Sequence, residues 1–491
     1  MATTRIGPVP DPTLPPEALE SLQRALRGRL CLPGDARYDE ARSIWNAMID
    51  RHPAAIVRAE VPDDVIAAVN FAREHRLELA VKGGGHNIAG HAVSEGGLML
   101  DLTPMKSIEV DADAHTARVA PGVTLAELDQ ATQVHGLALP VGINSTTGIA
   151  GLTLGGGFGW LSRKLGLTID SLVAAEVVTA DGRRRRASEK DDAELFWGLR
   201  GGGGNLGVVT SFEYRLHPVG PEVFAGLIVH PMAGARERLQ GYRDVVARAP
   251  EELTAWAVLR QAPPLPFVPA EWHGREVVVL AFCWSGDLAD AEAAIAPLRA
   301  LGTPIAEHMG ATPLVGWQTA FDPLLTPGAR NYWKSHDFMQ LADEAIDLIL
   351  DAANRLPSPE CEVFIAHLGG AINRVPVAAT AYPHRDIQFV VNVHTRWREP
   401  SQDAACIAWA RGLFDAAARY ATGGVYVNFM PGDEHARVPS GAYGPNFARL
   451  AALKTQYDPN NLFRLNQNVV PARAASQDAS AESARRNVRA S

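Results

Sequence analysis

Val81 to His91 reads VKGGGHNIAGH: three consecutive glycines follow an extended apolar segment, and a histidine follows the glycines directly. Residues without side chains let a loop press against a bulky anion and offer bare N–H groups to phosphate. In that setting Gly83, Gly84 and Gly85 cradle a ligand, His86 touches whatever the loop holds, and Asn87, Gly90 and His91 follow closely enough to join it. A glycine-rich turn with a surface histidine would give the same string.

A second run, STTGIAGLTLGGGFGW, places glycines at 148, 151, 155, 156, 157 and 159. That density argues for close backbone approach to a ligand rather than for a helix or a regular strand. A tight crossover between strands needs only one or two glycines. A third run, LFWGLRGGGGNLGVVTSF, matches GxGxxG at Gly202, Gly204 and Gly207. The dinucleotide crossover of that signature needs a strand before it and a helix after it. Here a β-branched, alternating segment beginning at Val208 follows, so a nicotinamide site of that type is excluded on context.

Chemistry on a bound ligand commonly needs a proton acceptor as well. Period-two alternation in IQFVVNVHTRW sets Gln388, Val390, Asn392 and His394 on one strand face. Polar side chains among apolar neighbours are costly to bury unless they meet a ligand or each other. A half-solvated sheet face is the alternative.

The elements that position these residues alternate from Ile56 onward. An extended IVRAE, a helical DVIAAVNFAREHR after Pro62 and an extended LAVKGG lead into the first motif. LMLDL, SIEV and TARVAPG read as short strands, LAELDQATQVHG as a helix stopped by Gly136, and EVVTADGRRRRA as a hairpin with an Asp-Gly turn. After Pro218 the texture changes. Strands are expected at VFAGLIVHP, TAWAVLRQA, EVVVLAFCW, EVFIAHLGG and IQFVVNVHTRW, with helices over 287–301, 336–355 and 401–420. Strands crossed by helices on one side predict an α+β arrangement over an antiparallel sheet.

A chain of 491 residues exceeds one compact core, at roughly 150 residues per domain. The net charge of −9 argues against nucleic acid as a partner. The run Arg183 to Arg186 sits beside Asp181, Glu189, Asp191 and Asp192 and reads as a charge-balanced loop. Cys31, Cys283, Cys361 and Cys406 are scattered, suggesting neither a metal site nor a disulfide framework. The N-terminal segment lacks a secretory apolar core, and the longest apolar run falls short of the ~20 residues of a membrane helix. A cytoplasmic protein is expected, with no membrane partner. The last twenty residues read as a disordered tail.

Taken together, PAAIVRAEVPDDVIAAVNFAREHRLELAVKGGGH, GLTLGGGFGWLSRKLGLTIDSLVAAEVVTADG, DAELFWGLRGGGGNLGVVTSFEYRL, AYPHRDIQFVVNVHTRW and YDPNNLFRLNQNVVP resemble, in order and spacing, one enzyme family. They are similar to the FAD-linked oxidases of the vanillyl-alcohol-oxidase and p-cresol-methylhydroxylase (PCMH) fold, in its berberine-bridge-enzyme-like branch. The resemblance implies a two-lobed α+β protein. A helical lead would cover 1–50, an FAD-binding lobe 51–216 and a substrate lobe 217–425. A segment returning to the FAD lobe would cover 426–471, and a tail 472–491.

The same resemblance implies FAD bonded through His86. Many members add a second bond from a cysteine at the position of Asn144, so attachment here is expected to be single. Thr147 stands where the family controls oxygen access, and matches neither its small nor its bulky class. Gly148, Gly151, Gly155, Gly156, Gly157, Gly207, Val208, Asn466 and Asn468 complete the expected cofactor contacts. Tyr426, in a Tyr-x-Asn motif with Asn428, is the implied catalytic base. Asn392, His394 and Tyr332 are further candidates, and Lys334 could approach the flavin ring or lie on the surface. The implied reaction is oxidation of a small alcohol, amine or natural-product intermediate, with dioxygen as acceptor. A dehydrogenase using another acceptor and a flavin carrier without turnover are the rivals.

Overall fold

The computed structural model describes residues 14–472. The first thirteen residues, and all of the expected tail but Ala472, lie outside them.

The helical lead needs correction. Pro16–Ala25 and Tyr38–Arg42 are helices, but Arg29–Cys31 between them is a strand paired antiparallel to Ala55–Arg58. Buried Asp64 explains it. Its carboxylate accepts the N–H groups of Arg27 (2.7 Å) and Gly28 (3.1 Å), and also those of Glu60 and Val61 ahead of the helix Pro62–Glu74. One side chain thus starts a helix and fastens the incoming chain. Ala55–Arg58 and Leu79–Lys82 both run parallel to Leu98–Asp101 between them. The glycine loop at Gly83 therefore leaves the carboxyl end of a parallel strand.

A second, five-stranded antiparallel sheet contains Leu172–Val178 and Arg184–Ser188, joined through the Asp181-Gly182 turn as expected. The arginine run is neutralised: Arg184 pairs with Glu176, Arg185 with Asp181 and Arg186 with Glu213. Downstream, the glycine-dense run at 201–207 follows the helix Ala193–Leu199 and precedes the strand Val208–Arg215. That is the reverse of the dinucleotide crossover.

The third sheet has seven antiparallel strands, in the spatial order Ala306–Pro313, Glu222–Pro231, Glu276–Trp284, Leu253–Gln261, Glu362–His367, Phe389–Trp397 and Arg330–Phe338. The helices Ala235–Val246, Asp343–Ala353 and Asp403–Ala417 pack on one face, burying Leu239, Ile346, Ile349 and Leu413 against Leu259, Leu280 and Val391. In this layer two strands and the helix Ala235–Val246 escape the sequence reading. Ala306–Pro313 is a half-exposed edge strand with weak alternation, and Ala235–Val246 is mostly polar. Arg330–Phe338 carries Lys334, His336 and Asp337 inward, so its polarity hides it and delays the expected helix from 336 to Asp343. The second glycine run is also corrected. Ile149–Leu154 is a short helix with Gly151 inside it, and the other glycines cluster at its two ends and beyond.

The segment after Val425 returns to the first sheets through the helix Phe447–Tyr457. Fully buried Lys454 donates to the carbonyls of Asn205 (2.9 Å) and Phe463 (2.8 Å) and to Asp458 (2.7 Å). Asn205 accepts from the Val469 amide and donates to the Gln467 carbonyl. These contacts fix residues 463–469 beside the glycine turn at 202–205. Among the described residues no helix is long and apolar enough to cross a membrane.

Buried Asp129, on the helix Leu125–Gln133, accepts from Gln318 of the helix Leu314–Thr319 at 3.1 Å. Burial raises its carboxyl to about 7, against the bond from Gln318. The folded state therefore holds a proton that the unfolded state releases, and stability falls as pH rises from about 4 through 7. Asp129→Asn mimics the protonated form. The difference in melting temperature between variant and wild type should grow in the variant's favour from pH 5 to pH 8; a pH-independent difference would refute the assignment.

Candidate active site

A cavity of about 400 Å³ joins the glycine loops to the helix-free face of the seven-stranded sheet. One wall is backbone. Gly84 and Gly148 touch so closely that a Cβ on Gly84 would lie 2.2 Å from the Gly148 nitrogen, and one on Gly148 would lie 2.3 Å from the Gly84 nitrogen. Gly83, Gly85, His86, Asn87 and His91 line this wall from one loop, and Asn144, Thr147 and Gly151 from the other. A Cβ at Gly151 would meet only open space. Gly207 and Val208 contribute from the third run, with Gly203 and Gly204, which were not among the expected contacts.

His86 is set by its surroundings. The buried Lys82 ammonium donates to the carbonyls of Ala41 and Ser43, fixing the segment that carries Trp45. Trp45 then stacks on the His86 ring at 5.1 Å, and Thr146 Oγ1 lies 3.0 Å from His86 Nε2. Burial lowers this imidazole to about 4, leaving it neutral at pH 7. His91 is also lowered to about 4, by burial and by the nearby His435 and Arg51, and both of its ring nitrogens lack protein partners.

Several expected contacts lie elsewhere. Gly90 turns away at φ +75°, packed on Ile49. Gly155, Gly156 and Gly157 do not line the cavity; they press on the pair that does. The Gly157 N–H donates to the Tyr426 hydroxyl oxygen at 3.0 Å, Gly156 lies against the rings of Tyr426 and Tyr382, and Gly155 lies against Asn428. Asn466 faces the cavity, but its companion is Gln467 rather than Asn468. The side-chain oxygens of all three are buried and accept nothing from the protein.

Tyr426 and Asn428 both line the cavity, and Asn428 donates to the Tyr426 oxygen at 3.0 Å. A turn, Val427–Phe429, brings the two residues of the Tyr-x-Asn motif together. Burial raises the Tyr426 phenol to about 12, while the bonds from Asn428 and Gly157 oppose the shift.

On the sheet, Asn392 and His394 face the cavity; Gln388 precedes the strand and bonds Asn373, and Val390 packs in the core. Tyr332 points to the opposite, helix-covered face, where its hydroxyl donates to Asp433 and accepts from Arg411. Lys334, on the same side, is buried against Glu434 at 2.5 Å, so it is neither at the cavity nor on the surface. Their neighbour Trp333 faces the cavity in their place.

Arg260 and Glu362 also line the cavity and were missed. Alternation in TAWAVLRQA, which sets Trp256, Val258 and Arg260 on one face, was the available signal. The remaining walls are aromatic, with Phe158, Trp160, Trp256, Phe321, Phe364 and Phe429.

Bare backbone at two touching loops, open space over Gly151, and unpartnered acceptors at 466–468 are what a dinucleotide needs from a protein. The residues present fit FAD, with His86 and Gly83–Gly85 on one side and Asn466 and Gln467 on the other.

Comparison with known proteins agrees. Residues 53–188 match the FAD binding domain model, and residues 425–470 the berberine and berberine-like model. An FAD-linked oxidoreductase of Dictyostelium discoideum is 32% identical over 455 residues, covering 91% of this chain and 95% of its own. Among solved structures, 6-hydroxy-D-nicotine oxidase from Arthrobacter nicotinovorans superposes with a TM-score of 0.81 at 28% identity, over 91% of this chain and 98% of that one. A xylooligosaccharide oxidase from Myceliophthora thermophila does so with a TM-score of 0.81 at 25% identity, over 93% and 99%. Cavity, fold and relatives together show that the chain belongs to the FAD-linked oxidoreductases of the PCMH fold, in the berberine-bridge-enzyme-like branch.

Proposed function

We propose that this enzyme oxidises a small alcohol, amine or natural-product intermediate, with FAD joined covalently through His86 alone and dioxygen reduced to hydrogen peroxide. One observation carries the reading: a single cavity holds the glycine loops and His86 on one wall and Tyr426, Asn392 and His394 on others. Bound FAD supplies the two-electron acceptor. Relatives whose names specify nicotine-derived amines and xylooligosaccharides bracket the substrate classes.

The chain's own groups do the rest. His86 is neutral and therefore nucleophilic at pH 7. Asn144 offers no thiol for a second bond, and all four cysteines are buried away from the cavity. Tyr426 accepts the substrate proton in its ionised form, which two N–H donors stabilise at the phenol oxygen. Because burial outweighs them, that form is the minority near neutrality. The aromatic walls hold the apolar part of the substrate and keep water out.

Acid-precipitated protein should stay yellow and fluoresce on a denaturing gel, and its flavin peptide should contain His86. FAD released to the supernatant would refute the covalent link, and a cysteinyl flavin its being single.

Photoreduced enzyme mixed with air-saturated buffer should reoxidise within seconds and release hydrogen peroxide. Reoxidation over many minutes, with fast turnover on an artificial acceptor, would make the protein a dehydrogenase, with Thr147 closing oxygen access.

Tyr426→Phe should slow flavin reduction by ~10²–10⁴-fold, with substrate binding changed much less. The wild-type rate should also climb with pH through the neutral and alkaline range, as the ionised phenol becomes commoner. The variant should lose that slope. A rate within about threefold of wild type would leave Tyr426 a packing residue.

A further inference from the structure

The helix-free face of the seven-stranded sheet carries a row of four side chains, each directly opposite the next on paired strands. Arg260 faces Glu362, Glu362 faces His394, and His394 faces Trp333. The Arg260 guanidinium holds one Glu362 oxygen at 2.8 Å, and His394 Nδ1 lies 2.9 Å from the other. Burial pushes this carboxyl up, but Arg260, His394 and Arg396 outweigh it and hold it at about 2. Arg396 is itself engaged by Glu360. The Trp333 ring closes the row edge-on at 4.5 Å from the imidazole.

An ionised carboxylate only accepts hydrogen bonds, so it holds a hydrogen on Nδ1, and in the singly protonated ring Nε2 is then the acceptor. Nε2 is buried and unpartnered, and so are both amide atoms of the adjacent Asn392. Arg260 already balances Glu362, so that ion pair has no charge left over for a ligand. Phe429 stands between this row and Tyr426, edge-on to the rings of Trp333 (5.5 Å) and Tyr426 (4.9 Å).

We infer that His394 Nε2 and Asn392 form a second polar subsite, away from Tyr426, which selects an uncharged substrate carrying an O–H or N–H donor on a flat aromatic body. Glu362 and Arg260 are its positioning residues: they set which imidazole nitrogen is bare. A buried acceptor left without a donor rejects a ligand more strongly than an absent contact does. The inference rests on the cavity being the substrate site of the proposed oxidase, but not on turnover.

The test is calorimetric binding at pH 8 to the FAD-loaded, oxidised enzyme, with 1-naphthol and its methyl ether 1-methoxynaphthalene as matched probes. Wild type should bind the naphthol at least tenfold more tightly. The ratio should fall to about twofold or less in Glu362→Gln and in His394→Phe, with affinity for the ether little changed. His394→Phe leaves the Arg260–Glu362 pair intact, so the question survives if Glu362→Gln does not fold. In ¹⁵N-histidine spectra, the resonance lost in His394→Phe should report a bare Nε2 in wild type. Equal binding of the two probes by wild type, or a ratio preserved in either variant, would overturn the subsite. A ratio present in a protein that never bleaches with substrate would instead overturn the oxidase reading and leave the subsite standing.

Discussion

Two glycines that touch through backbone alone hold the site together. With Gly84 against Gly148, the loop that leaves the parallel strand at Lys82 meets the loop that enters the helix at Ile149 with no side chain between them. Any Cβ at either position would have to displace main-chain atoms, not a flexible side chain. The contact sets His86 beside Thr146, and it puts Asn144, Thr147 and Gly151 on the same wall of the cavity. Trp45, the Lys82 ammonium and the Thr124–Gly148 bridge then brace the arrangement from outside.

The same economy of side chains serves the catalytic pair. Gly155 to Gly157 read in the sequence as cofactor contacts, because glycine density signals close approach without saying what is approached. In the fold, what approaches is Tyr426 with Asn428, from a segment almost 270 positions later in the chain. The loop lends Tyr426 a main-chain donor beside the side-chain donor of Asn428.

This sets the limit of what was legible. Apolar runs, helical spacing and turn residues revealed the strands that run parallel in the first sheet, the helix after Pro62, the 172–188 hairpin and the antiparallel character of the second half, because those signals are local. It failed at Arg330–Phe338, where inward-facing charges find partners on other elements: Lys334 with Glu434, Asp337 beside His384. Tyr332 was drawn into the site for the same reason, since local pattern gives parity along a strand but not which parity faces the ligand. Glycine motifs and the resemblance located the backbone wall. Arg260 and Glu362 stayed hidden because their significance is a register between strands some hundred residues apart.

The buried Lys454 has a consequence for how the enzyme is made. Its ammonium joins the Asn205 carbonyl to residues 458 and 463, and so brings Asn466 and Gln467 to the cavity. A chain leaving the ribosome has both glycine loops and the whole seven-stranded sheet in hand long before this wall exists. Folding in order of emergence can assemble those sheets early, yet the cofactor's enclosure waits for the last stretch of translation. A chain that stops between Trp397 and Asn466 therefore carries every strand of the three sheets but leaves the cavity without the wall that Asn466 and Gln467 supply.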